Sequence, residues 1–427
     1  MRRTDAVAAP AGQRMFERLY RQRLEADLVR WQADGVISPA AGEAIRAALP
    51  PPPRAVNVAT VVAIVGGLLV AAAFLAFVAA NWTEIARPAR FTLLLAGIAS
   101  AYGIGAAFDL RKRTQVADLG VAVGSIIFGA AIALVGQMYH LGDDFAGGLL
   151  LWAVGALIAA ILTGSRGALA VALTAACVWS GASIHGSFDL PHIPFIGFWL
   201  VCATVAVAWN AASARHLVAV AALVWWAIPV IDSLSIRDGL FTLAAGGALL
   251  LGGGLLLGIV RSDPLRMLGQ ALSIYGAFGL ASAAAAAPLV GDASTHLQVW
   301  TIVCGVFGLV FAVAAAAITF RPGSVLAALA VCLVLLALSS TGRSEGPWLA
   351  YALALLSMVS LLASAALDDI RPRVVAGWLG TAFVIAAITW MVEGSLLRRA
   401  AFLAVAGIAA IGLASVLARL TPVEARR

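Results

Sequence analysis

Residues 147–164 read GGLLLWAVGALIAAILTG, eighteen in a row without a charge and dominated by Leu, Ala and Gly. An α-helix rises about 1.5 Å per residue, so a run of this length matches a hydrocarbon core of about 30 Å. Comparable runs fall on both sides of it, at 58–80, 91–108, 119–139, 168–182, 195–213, 217–231, 239–260, 267–290, 299–320, 325–340, 348–367, 374–392 and 400–418. We read about fourteen transmembrane helices, with twelve as the alternative, because the runs at 168–182, 217–231 and 325–340 are short enough to be re-entrant or tilted. Composition demands the same class: of 427 residues, 62% are hydrophobic and 11% charged, against about 25% charged in soluble domains. So few charges cannot cover a water-facing surface. A β-barrel would show alternating segments of about ten residues, whereas these runs are continuous and about twice as long. The expected fold class is an all-α integral membrane protein.

Charge placement sets the expected orientation. Every Lys, Arg, Asp and Glu falls outside the spans as read. With a cytoplasmic N-terminus, only Arg87, Arg90, Arg237, Arg343, Arg398 and Arg399 of the 28 basic residues fall on odd-numbered connections. That is the positive-inside pattern, and Arg111-Lys112-Arg113 after the second span is its clearest signal. Both termini are then expected in the cytoplasm of a bacterial inner membrane. The net charge of +7 follows from this topology and implies no nucleic-acid partner.

The polar leader, residues 1–53, is expected to be a small cytosolic helical hairpin. Phe16, Leu19, Tyr20, Leu24, Leu28 and Trp31 recur at helical spacing. Asp34-Gly35 is a stop signal, and Ser38-Pro39 restarts a helix with Ser38 as N-cap. Pro50 to Pro53 form a stiff spacer to the membrane. A surface helix on anionic lipid is the other reading of the first helix. Residues 54–427 form the expected transmembrane domain. Leu119-Gly120 before Ser125 and Leu268-Gly269 before Ser273 open the third and ninth spans alike, a weak sign of internal repetition.

Chemistry-bearing residues are few. Cys177, Cys202, Cys304 and Cys332 lie apart inside apolar runs, so small core hydrophobes are expected rather than a disulfide or zinc framework. The candidate site is an outer-face polar cluster: Asn81, Trp82 and Glu84 after the first span, with Gln137, Tyr139, His140, Asp143 and Asp144 after the third. Span parity puts both on one side, where His185, Asp189, His192, Asp292 and His296 also fall. Imidazole and carboxylate together suit a transition metal or a pH sensor. The plainer reading is solvated loop residues with interfacial Trp and Tyr anchors. No catalytic motif is present, so an enzyme has little support, and no cofactor is expected.

Leu28-Val29-Arg30-Trp31 through Gly35-Val36-Ile37-Ser38, then Ala80-Asn81-Trp82, then Gly136-Gln137-Met138-Tyr139-His140-Leu141 and Leu151-Trp152 resemble the bacterial family called domain of unknown function 2157. The resemblance covers roughly residues 14–180. It implies a short soluble N-terminal segment ahead of several membrane spans, so residues 54–180 are the family-like part and 181–427 carry additional spans. It implies no activity. Span number favours a transporter or translocator of a small or amphiphilic molecule. The rival is a membrane sensor or binding protein whose leader contacts a cytosolic protein. Membrane lipid is the expected partner in both.

Overall fold

The computed structural model describes residues 24–25, 27–48, 66, 69, 73, 86–139, 144–184, 192–232, 236–289, 298–340 and 348–391. By internal contacts the chain divides into two units, Met1–Gly66 and Gly67–Arg427.

In the first unit, residues 27–33 are helical and end at Gly35, which adopts the left-handed φ of 70° that a residue without a Cβ takes readily. Helix α1 (Pro39–Ala48) follows. The Ser38 hydroxyl accepts the Ala41 N–H at 3.2 Å, the N-cap expected ahead of Pro39. Leu28 is fully buried. Residues 1–23, including Phe16, Leu19 and Tyr20, lie outside the described residues.

The second unit is a helical bundle. Its described helices are α2 (Arg87–Leu110), α3 (Thr114–Tyr139), α4 (Phe145–Thr163), α5 (Arg166–Ile184), α6 (Ile193–Ala208), α7 (Ala212–Asp232), α8 (Ile236–Leu257), α9 (Asp263–Ala286), α10 (Val299–Thr319), α11 (Pro322–Ser340), α12 (Trp348–Leu367) and α13 (Arg371–Met391). A 3₁₀ turn, Ala287–Leu289, extends α9. Among the described residues, eleven helices are long and apolar enough to cross a membrane. The apolar runs read between 91 and 392 each coincide with one helix; those at 58–80 and 400–418 lie almost wholly outside the described residues.

Two expectations change. The runs at 168–182, 217–231 and 325–340 belong to helices of spanning length, because α5, α7 and α11 begin two, five and three residues earlier, at Arg166, Ala212 and Pro322. Conversely, the run at 195–213 makes a shorter helix. It stops at Trp209-Asn210, where Asn210 turns left-handed. The helices also reach past the apolar runs and so take in ionisable groups that lie outside the spans as read. Asp118, Arg215, Arg237, Asp238 and Arg373 all sit inside helices, and Arg215, Arg237 and Arg373 are buried.

Short turns join α2 to α3, α4 to α5, α6 to α7, α8 to α9, α10 to α11 and α12 to α13, and the antiparallel pairs gather these turns at one end of the bundle. Five of the six contain a left-handed residue: Lys112, Gly164, Asn210, Phe320 and Asp369. Connections at the opposite end are mostly longer.

Helices α8 and α9 form the centre. Helix α8 packs against α7, α9, α10 and α11, and α9 against α7, α8, α11, α12 and α13. Lipid gives apolar helices little reason to associate by hydrophobicity, so close approach through small residues must hold them. A methyl group on Gly254 would lie 2.5 Å from the Gly269 carbonyl oxygen and 2.6 Å from the Ser273 nitrogen. The same backbone contact joins α2 to α3, where a methyl on Gly120 would meet Gly105 at 2.8 Å. The similar openings of α3 and α9 thus share one packing role. Much of the remaining core is alanine, including Ala153, Ala156, Ala172, Ala244, Ala248 and Ala277.

Candidate functional site

Helices α3 and α4 carry the part of the expected polar cluster that lies within the described residues. Gln137 is exposed in the last turn of α3, and Tyr139 is that helix's final residue. Asp144 is the N-cap of α4, its carboxylate accepting the Gly147 N–H at 2.6 Å. Asp144 is thus spent on closing a helix start, where an anionic acceptor also meets the positive end of the helix dipole. Asn81, Trp82, Glu84, His140 and Asp143 lie outside the described residues. No group of three or more His, Cys, Asp or Glu is placed to hold a metal ion among the described residues.

A second polar group occupies the same end. His192 is the N-cap position of α6, with Pro194 in the first turn. Its Nδ1 lies 3.2 Å from the Ser180 hydroxyl on α5, and its ring meets Trp179 edge-on. Trp225 on α7 donates its indole N–H to the same Ser180 oxygen at 2.8 Å, and its ring stacks on Phe195. Ser180 is fully buried, so its hydroxyl needs both partners. Burial lowers the His192 pKa below its ordinary value. Hydropathy reading placed His192 on this end but gave no sign of Ser180 or Trp225, which look like ordinary core residues in sequence.

Also at that end, Arg237 in the first turn of α8 is buried and donates to the Leu338 carbonyl of α11 at 3.3 Å. Thr242 of α8 meets Thr301 of α10 hydroxyl to hydroxyl at 3.2 Å. At the short-turn end, fully buried Arg373 of α13 donates to Asp368 at 3.2 Å and to Ser364 at 2.7 Å. Gly323 near the start of α11 lies against the Asp368 carboxylate.

The α2–α5 segment is tied by two polar clasps. Trp152 of α4 donates its indole N–H to the Ser125 carbonyl of α3 at 2.9 Å, and its ring fills the space left by Gly129. The Ser125 hydroxyl donates to the Val121 carbonyl at 2.9 Å and meets Tyr102 of α2 at 3.2 Å. Nearer the short turns, Asp118 accepts the Ser165 hydroxyl at 2.6 Å and the Gly167 N–H at 3.0 Å, so a residue of α3 caps the start of α5.

Residues 29–169 match the family described as a predicted membrane protein, DUF2157. The match covers the helical leader from Val29 and runs through α4 to the first residues of α5, enclosing both clasps. It agrees with the resemblance drawn from Trp31, Asn81, Gln137 and Trp152, over a slightly narrower range. The DUF2157 description and the apolar helices together make this an integral membrane protein. No curated protein and no solved structure matches the chain.

Proposed function

We propose that this chain translocates a small or amphiphilic molecule across a bacterial inner membrane, with both termini in the cytoplasm, a cytosolic leader at residues 1–53 and a transmembrane domain at 54–427. One observation carries the reading: buried arginines lie at both ends of α11, Arg237 beside Leu338 and Arg373 beside Asp368 and Gly323. Helical rise puts these two ends about 22 Å apart. An anchor needs no buried cations, which cost several kcal/mol each to desolvate. Ionisable groups inside transmembrane bundles commonly mark the paths of polar cargo. Fold-level analogy to many-helix transporters adds a weaker argument.

The test is uptake by proteoliposomes. Vesicles bearing the full chain are incubated with a small-molecule extract of bacterial cells, and their contents are profiled by mass spectrometry. At least one compound should accumulate above protein-free vesicles, with the excess lost in Arg237→Gln. No protein-dependent accumulation of any compound would overturn the reading.

The sensor reading is favoured by a different observation, the division of the chain into a separate N-terminal unit with its capped helix α1. In that reading the outer-face cluster at Asn81, Trp82, Glu84, Gln137, Tyr139, His140, Asp143 and Asp144 detects a ligand, and the leader contacts a cytosolic protein. Ligand binding without flux would select it.

A further inference from the structure

At the short-turn end of α2–α5, four cations share a corner of the bundle. Arg111, Lys112 and Arg113 form the α2–α3 turn, all exposed. The turn is fixed by left-handed Lys112, whose N–H reaches the Asp109 carbonyl at 2.8 Å, and by the Arg113 N–H to the Phe108 carbonyl at 3.0 Å. Exposed Arg166 opens α5 after the Gly164-Ser165 turn. The Asp118 clasp holds this second turn to the first turns of α3, so the two basic turns cannot drift apart. Asp118 is committed to that clasp, leaving exposed Asp109 as the other carboxylate in these two turns. Among the described residues none of the four cations forms an ion pair with a carboxylate side chain.

The apolar surface beside this corner is equally specific. Leu110 is 86% exposed and Leu162 80% exposed, at the C-terminal ends of α2 and α4. The Arg111 guanidinium lies over the Phe108 ring, 5.8 Å from its centroid. Cations therefore sit next to bare aliphatic side chains at one level of the bundle. A soluble polyanion would meet the charges but gain nothing from the leucines. An anionic phospholipid satisfies both, with phosphate against the guanidinium groups and acyl chains along α2 and α4.

We propose that the Arg111–Arg113 turn and Arg166 form a docking site for an anionic phospholipid, held in shape by the Asp118–Ser165 clasp. The site does not depend on what the protein moves or senses, nor on which face of the membrane the turns occupy.

The test uses the full chain in detergent, titrated with phosphatidylglycerol or phosphatidylcholine and read by native mass spectrometry. Phosphatidylglycerol should be retained at least tenfold better. Each cation removed in Arg111→Gln, Arg113→Gln and Arg166→Gln should weaken that retention about fivefold. Arg261→Gln and Arg321→Gln, in two other short turns, should leave it unchanged. Unaltered thermal unfolding of the exposed-site variants separates lost binding from lost folding. Equal retention of the two lipids, or the same loss in the Arg261 and Arg321 variants, would overturn the proposal. Displacement of bound phosphatidylglycerol by millimolar inorganic phosphate, with both lipids otherwise held equally, would assign the corner to a soluble anion and also overturn it.

Discussion

Trp152 illustrates how single residues hold helices together where water is absent. Its ring occupies the gap at Gly129 and its N–H reaches the Ser125 carbonyl. Trp152→Phe keeps most of the bulk and removes the donor, which should cost about 0.6–1 kcal/mol. Trp152→Ala should cost about 3–5 kcal/mol through the cavity it leaves. Thermal unfolding in detergent, read by size-exclusion chromatography after heating, would rank the two. His192 gives a pH-dependent counterpart. Trp225 donates to Ser180, which leaves the Ser180 proton for the imidazole Nδ1 and suits a neutral ring. Among the described residues, the groups facing His192 are Trp179, Ser180 and Trp225, which do not ionise near neutrality. Because burial depresses its pKa, the folded protein binds fewer protons than the unfolded one just below the ordinary value of 6.5. Stability is therefore complete above that value and falls as the pH drops through it. The wild-type unfolding midpoint should decline from about pH 7 to about pH 5, and His192→Gln should lessen the decline. An equal decline in the variant would remove His192 from the explanation.

Elements lean on close approach, and α8 with α9 is the extreme case. Gly254 and Gly269 leave no room for a methyl between the two backbones. Gly254→Val should cost more than the 1–3 kcal/mol usual for overpacking, since backbone rather than a flexible side chain must move. The expected readout is a midpoint lowered by several degrees or failure to purify, whereas Gly253→Val, with open space around it, should behave like wild type. Helix existence was plain in sequence at this scale, because a long apolar run has few alternatives in lipid. Helix ends were harder to read. Hydropathy stops at Arg215 and Arg373, yet α7 and α13 continue through them because Asn210, and Asp368 with Ser364, accept their guanidinium N–H groups. Trp152 belongs to a family-like motif, but its acceptor is a backbone carbonyl, which no residue pattern can reveal. Tyr102 and Asp118 carry no signal in sequence, and Ser125 reads there only as part of a repeated helix opening, since their partners lie on other helices.

The described helices of the bundle form two unlike ends. Tight turns rich in arginine close one end, and mostly longer connections join the helices at the other. The same arginines carry the expected orientation, and it gives the prediction at this scale. Alkaline phosphatase fused after Arg113 should be inactive, and fused within the 140–143 connection it should be active; the reverse pattern would invert the topology. Site chemistry was much less legible than architecture. Of the residues expected on the outer face, Asp144 serves a helix cap, and its expected partners Asn81, Trp82, Glu84, His140 and Asp143 lie outside the described residues.

The six short turns also bear on how the chain enters the membrane. With those turns inside, the segments 140–143, 185–191, 233–235, 290–297 and 341–347 are the connections between described helices that must be carried across. They contain one cation, Arg343, against Asp143, Asp189, Asp292 and Glu345. In a cell whose interior is electrically negative, moving a positive charge outward costs about 2.3 kcal/mol per 100 mV, and moving a negative one outward returns the same amount. The membrane voltage thus does net favourable work as the segments 140–143, 185–191 and 290–297 cross, while 233–235 carries no charge and Arg343 offsets Glu345 in 341–347. Cells de-energised by a protonophore should accumulate this protein uninserted or with its pairs inverted, while a variant carrying arginines at Asp143 and Asp189 should insert better without the voltage than with it.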